Sequence, residues 1–285
     1  MPETLQQWSA ITTPTLFVHT RGRRLAYRSI GSGTPLILCV RFRGVLDVWD
    51  PAFLDALASS FRVITFDYSG LGQSSGEADY TPSALARDAI DLADALGLER
   101  FVASGWSLGG QAAQALTKRH PHRVSHLILI GTAPPGKLNH GPEAIFFERA
   151  LKFDNDLDDE IVLFFEPKSA RSRGAAVASH ERIARRTASL SPVVPEATYL
   201  RLLGRGGGDL FPDVDGYDEF LRNTEIPILV ISGDHEIIFP VQNWFDRVRV
   251  WSSLHLLVIP QAGHGAHHQE PEFCADVIRG FALRA

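Results

Sequence analysis

Short runs rich in Val, Ile, Leu and Phe alternate along the chain with longer stretches whose apolar residues recur every three or four positions. The short runs predict strands at Leu16 to Thr20, Arg24 to Ser29, Pro35 to Val40, Arg62 to Asp67, Phe101 to Ser104, His126 to Ile130, Ile228 to Ser232 and Leu254 to Ile259. Leu36-Ile37-Leu38-Cys39-Val40 and Ile228-Leu229-Val230-Ile231 are apolar at consecutive positions, the pattern of strands covered on both faces. The longer stretches predict helices. Thr81-Pro82-Ser83 supplies an N-cap and a first-turn proline, Leu85, Ala89, Leu92 and Leu96 form one stripe, and Gly97 ends it. Cys274, Val277, Ile278 and Phe281 form a second stripe, which makes Cys274 a buried apolar residue rather than a reactive thiol. Such alternation predicts an α/β fold, a mostly parallel sheet with helices on both faces.

The alternation stops between Leu138 and Asn223, where helical fragments, prolines and Gly206-Gly207-Gly208 occur without a strand pattern. Read as an inserted helical lid, this stretch divides the chain into a core of residues 1–137 and 224–285 and a cap of residues 138–223. Phe146, Phe147, Phe164 and Phe165 would then face the site. The alternative is a long helical connection, with those rings packing it onto the sheet.

Composition narrows the function. Of 285 residues, 45% are hydrophobic and 21% charged, which excludes a disordered or fibrous chain. With 28 Lys plus Arg against 33 Asp plus Glu, no cationic excess exists to hold a phosphate backbone, so no nucleic-acid partner is expected. Two cysteines, Cys39 and Cys274, cannot frame a disulfide scaffold and point to a reducing compartment. The opening residues Met1 to Trp8 lack a leader pattern and no apolar run reaches membrane-spanning length; the expectation is a cytoplasmic protein with no membrane partner, self-association left open.

Gly105-Trp106-Ser107-Leu108-Gly109-Gly110 lies between a strand and a helix of small residues. A nucleophilic serine on a sharp strand-to-helix turn needs small neighbours, and Gly105 and Gly109 supply them. A serine hydroxyl also needs a neutral imidazole as base, and the imidazole needs a carboxylate to fix its tautomer. Gly263-His264-Gly265, on the loop after the last strand, offers His264 as that base. Gly233-Asp234-His235-Glu236 offers two carboxylates, between which residue chemistry alone does not choose. His264, His267 and His268 have helical spacing but lack a nearby acidic ligand, Gly70-Leu71-Gly72 lacks a third glycine, and Gly204-Arg205-Gly206-Gly207-Gly208 lacks the Lys-Ser/Thr ending of a phosphate loop. No metal and no cofactor is expected.

Together with Asp67-Tyr68-Ser69-Gly70-Leu71-Gly72-Gln73-Ser74, the serine, acid and histidine motifs resemble those of the α/β-hydrolase fold enzymes of the esterase, lactonase and perhydrolase kind, over nearly the whole chain. The resemblance implies a mostly parallel eight-stranded sheet with a helical cap after the sixth strand. It implies catalysis by Ser107, His264 and Glu236, the acid standing three residues after Gly233 and four before Pro240, with Asp234 a turn residue and His235 merely exposed. It implies an oxyanion hole from the backbone N–H groups of Leu108 and Phe42, although Val40-Arg41 stands where the family has His-Gly. Arg41 or Arg43 would either bind a substrate carboxylate or pair at the surface with Asp47 or Asp50. Ser69 replaces a frequent arginine, so a buried ion pair of relatives is expected to be missing. The implied activity is hydrolysis of a small ester, lactone or thioester acyl substrate. Perhydrolysis, C–C bond hydrolysis and a non-catalytic ligand receptor are the alternatives.

Overall fold

The computed structural model describes residues 9–203 and 211–283; the Gly204 to Gly208 run and Met1 to Trp8 lie outside them. Eight strands form one sheet: β1 (Leu16–Thr20), β2 (Arg23–Ile30), β3 (Thr34–Cys39), β4 (Phe61–Phe66), β5 (Phe101–Trp106), β6 (Val124–Ile130), β7 (Ile228–Gly233) and β8 (Leu254–Ile259). Their order is β1-β2-β4-β3-β5-β6-β7-β8. The pairs β1/β2 and β2/β4 are antiparallel and all others parallel. Every residue of β5 and β7 is buried, and β7 shows it in the run Ile228-Leu229-Val230-Ile231, whereas edge strand β1 is largely open to water.

The predicted and observed strands agree to within two residues. The informative difference is β5, which runs past Ser104 because Gly105 and Trp106 pair with Leu129 and Ile130 of β6. Regular strand therefore continues to the residue before Ser107.

The helices are α1 (Pro51–Ala58), α2 (Pro82–Ala95), α3 (Leu108–Arg119), α4 (Ala144–Ala150), α5 (Leu157–Phe164), α6 (Ala170–Ala184), α7 (Glu196–Leu203), α8 (Tyr217–Asn223), α9 (Phe245–Val250), α10 (Ala266–Gln269) and α11 (Pro271–Ala282). Local chemistry sets their starts. Asp50 Oδ1 accepts from Ala52 N at 2.9 Å below α1, and Thr81 Oγ1 accepts from Ala84 N at 3.3 Å below α2. Asp156 and Asp159 form a reciprocal capping box on α5. Cys274 is fully buried on α11, and both cysteines are free.

From β3 the chain crosses to β4 on one side, then returns past β3 to β5 on the other. Because parallel crossovers are right-handed, this reversal sends α1 and α2 to opposite faces of the sheet. α1 packs with α11, and α2 with α3. The reversal also leaves a crevice beyond the carboxyl ends of β3 and β5, where open α/β sheets bind ligands.

Helices α4 to α8 fill the chain between β6 and β7. Of these, α5 and α6 pack on each other and α6 on α10, while α8 packs on α3 with Tyr217 and Leu221 in the main core. No helix among the described residues is long and apolar enough to cross a membrane.

The expectation that Ser69 removes a buried ion pair needs correction. Arg23 of β2 supplies the guanidinium instead: Nε donates to Ser69 Oγ at 2.7 Å and Nη2 to Asp88 and Asp91 at 2.7 and 2.6 Å. Ser69 N and Oγ each donate to Asp88 at 2.7 Å. Asp88 and Asp91 of α2 are thus neutralised from β2, as buried charges must be.

Candidate active site

The turn between β5 and α3 holds Ser107 at φ 59° and ψ −121°, a conformation costly for a residue with a side chain. Its surroundings enforce it. A Cβ at Gly105 would overlap the Gly109 carbonyl, and one at Gly109 would overlap the Cys39 carbonyl at the end of β3. Ser107 N donates to Ile130 O at 2.9 Å, while Ser107 O accepts from Gly110 N at 2.9 Å and from the Thr132 hydroxyl at 2.7 Å. The backbone is clamped on both sides, and the serine sits at the carboxyl end of β5 and the amino end of α3, where backbone N–H groups favour negative charge.

His264 and Glu236 come from the loops after β8 and β7. His264 Nδ1 lies 2.7 Å from Glu236 Oε2, and both side chains are almost fully buried. The second oxygen, Oε1, accepts from Ile238 N at 2.9 Å and Phe239 N at 3.2 Å, so the carboxylate is held by three donors. Binding Nδ1 in this way leaves Nε2 as the basic nitrogen. Among the described residues no hydrogen bond joins His264 to the Ser107 hydroxyl; such bonds tighten when substrate binds. Asp234, by contrast, is exposed and, among the described residues, accepts from Ala262 N at 3.2 Å, closing its own loop. His235 is not merely exposed: its Nδ1 reaches Glu166 Oε2 at 2.9 Å and ties the acid loop to the segment after α5.

Three residues that the sequence analysis did not single out build this arrangement. Gly131 has φ 48°, and a Cβ there would stand 2.6 Å from His264 O and 3.1 Å from both Glu236 Oε2 and His264 Nδ1. Thr132 fixes the serine carbonyl. Trp106 Nε1 donates to His264 O at 2.9 Å, binding the His264 loop to the strand before Ser107.

Of the four phenylalanines expected over the site, Phe164 alone reaches it. Its ring stacks on His264 with centroids 6.1 Å apart and meets Trp106 edge-on at 5.4 Å. Phe165 packs with Ile161 and Ala176, Phe146 lies against the cluster of Ile237, Ile238 and Phe239, and Phe147 is exposed. Phe146 and Phe165 therefore pack away from the serine, and Phe147 does neither.

Neither Arg41 nor Arg43 pairs with Asp47 or Asp50, which corrects that expectation. Asp47 is held by Arg28 at 2.7 Å and Arg186 at 3.5 Å, and Asp50 by Arg182 at 2.6 Å. Arg43 donates to the carbonyls of Ala150, Lys152 and Phe153 at 2.7 to 2.8 Å and lies over Tyr199, so it fastens the loop after α4. Arg41 instead points between Trp106 and Phe164. Next to it the Phe42 ring is fixed edge-on by Tyr80 and Tyr199 at 5.4 and 6.1 Å. Leu108 opens α3 directly after the serine.

His267 and His268 lie on α10, behind Trp106, with ring centroids 4.6 and 4.8 Å from the indole. Burial pushes the His267 imidazole well below its usual range and that of His268 down to about 4, so both are neutral near pH 7.

A strained serine beyond the switch point of such a sheet, with a carboxylate-bound imidazole on the loop after the last strand, is the architecture of the α/β hydrolases. Residues 34–271 match the alpha/beta hydrolase fold family, and the chain belongs to it. A protein of Synechocystis sp. named as a non-heme chloroperoxidase is 28% identical over 248 residues, covering 84% of this chain and 87% of its own. Proline iminopeptidase PfmaB of Pestalotiopsis fici is 26% identical over 288 residues, covering 92% and 97%. The solved structure of an alpha/beta hydrolase fold protein from Chitinophaga pinensis superposes with a TM-score of 0.83 at 27% identity, covering 98% of this chain and 100% of the other. Membership sets the chain among the hydrolases.

Proposed function

We propose that Ser107, His264 and Glu236 form a catalytic triad that hydrolyses a small carboxylic ester, lactone or thioester. The observation that carries this reading is the 2.7 Å bond from Glu236 to His264 Nδ1, which leaves Nε2 as the nitrogen free to take a proton. Ser107 Oγ bonds to the acyl carbon and its proton passes to His264 Nε2. The carbonyl π pair moves onto oxygen, where backbone N–H groups of Leu108 and Phe42 stabilise it. The contact of Gly109 with the Cys39 and Val40 carbonyls supports this pairing, because it holds the loop after β3 beside the elbow. As the carbonyl re-forms, the bond to the leaving oxygen or sulfur breaks and that atom takes the proton from His264. Water, deprotonated by His264, then attacks the acyl-enzyme; serine leaves, recovers the proton, and the acid is released.

Residues 138–223 act in this reading as a cap, with Phe164 its contribution to the site roof, where it excludes water. The two free, buried thiols suit a cytoplasmic enzyme acting on a small-molecule acyl substrate. Steady-state hydrolysis of p-nitrophenyl acetate tests the reading. The wild type is expected to turn over, and Ser107→Ala to lose about 10⁴-fold or more in kcat while keeping the wild-type far-UV spectrum. Equal rates in the two proteins would refute it.

A further inference from the structure

Among the described residues Arg41 is a cation without a salt-bridge partner, set in the wall of the reaction site, with Glu160 acting on it only through space. A guanidinium carries five N–H donors, yet among the described residues Arg41 makes one hydrogen bond, from Nη1 to Phe42 O at 2.8 Å. Its Nε is buried with no acceptor. Glu160, the carboxylate whose field reaches Arg41, is itself bonded to His180 Nδ1 at 3.0 Å, and Asp47 and Asp50 are held by Arg28 and Arg182. Leaving buried donors and a charge unsatisfied is costly, and proteins retain such groups where a ligand completes them.

Position supplies the second half of the argument. The guanidinium carbon stands 4.7 Å from the Phe164 ring centroid and 5.2 Å from that of Trp106. The His264 imidazole lies against the same two rings, at 6.1 and 5.8 Å. Cation and base therefore share one aromatic frame, with Ser107 directly following Trp106. The two rings hold the guanidinium plane and exclude water from it, which strengthens any charge-assisted bond formed there. An unneutralised cation beside an imidazole that must become positive also opposes the chemical step. A substrate anion at Arg41 removes that penalty.

We propose that Arg41 is the recognition site for a carboxylate on the substrate, so that the enzyme acts on acyl compounds carrying a second, free carboxylate, such as half-esters of dicarboxylic acids. This rests on the serine hydrolase reading and specifies its substrate class. Arg41 fits the role where Arg43 does not, since Arg43 spends its donors on three backbone carbonyls.

Methyl hydrogen glutarate and dimethyl glutarate present the same ester with and without the anion. In the wild type, kcat/KM is expected to favour the mono-anion by about tenfold to a hundredfold, the range of one charge-assisted contact. Arg41→Met should collapse that ratio to about one, and Arg41→Lys, which keeps a point charge but not the planar fork, should retain part of it. No preference in the wild type, or an equal fall for both esters in Arg41→Met, overturns the proposal. Calorimetric titration of the Ser107→Ala protein with each ester reads recognition without turnover: tighter binding of the mono-anion, lost when Arg41→Met is added, supports the site even if the hydrolase reading fails. Equal affinity for the two esters overturns the site whatever happens to turnover.

Discussion

At position 236 a single carboxylate divides its oxygens between two tasks. Oε2 takes the imidazole, while Oε1 is anchored by the N–H groups of Ile238 and Phe239, so the acid cannot swing away from its histidine. Glu236→Gln keeps the shape but removes the charge that stabilises imidazolium, and a loss of about 10⁴ in kcat is expected. Asp234→Asn, on an exposed side chain with one backbone bond, should cost less than about tenfold. Steady-state assays of the two variants check this, and a dead Asp234→Asn beside an active Glu236→Gln would exchange the assignments. The choice between the carboxylates was legible only through spacing from Gly233 and Pro240, because both residue types can orient an imidazole. Gly131 was not legible, since its need for φ > 0 and an absent Cβ is imposed by His264 and Glu236, far along the chain. The true partners of Asp47 and Asp50 were hidden for the same reason: Arg28, Arg182 and Arg186 reach them from other elements.

Among the elements, strands were the most legible, because a doubly covered strand writes its burial into consecutive apolar residues. The two-residue extension of β5 was missed because glycine and tryptophan carry no such signature; pairing with β6 imposes it. Helix α10 was also opaque, the spacing of its histidines suggesting only a metal reading that the sequence itself sets aside, while the fold buries His267 and His268 behind Trp106. That burial has a measurable consequence. With its folded pKa held down to about 4, by burial first and with Arg41 and Arg182 adding to it against Asp50, His268 binds fewer protons than in the unfolded chain. Stability is therefore lost as pH falls from about 6.5 toward 4. His268 alone should account for about 2 kcal/mol between pH 7 and pH 5, with His267 acting in the same direction. Urea unfolding at the two pH values checks the sign, and the drop should shrink in His268→Gln. An undiminished drop in that variant would assign the effect to other groups.

For the molecule as a whole, the sheet order collects the chemistry at one edge: Ser107 after β5, Glu236 after β7, His264 after β8 and Arg41 after β3 all lie beyond carboxyl ends of parallel strands. Helix α6 packs on α10 and α1, and Phe164 at the end of α5 stacks on His264. The most direct test is whether Ser107 is the activated nucleophile. A fluorophosphonate transfers phosphorus to an activated serine hydroxyl with loss of fluoride, and peptide mass spectrometry locates the adduct. Stoichiometric labelling of the peptide bearing Ser107 is expected in the wild type, falling by about a hundredfold or more in rate when His264→Ala removes the base. Absence of label on Ser107, or labelling that proceeds unchanged in His264→Ala, would contradict the triad.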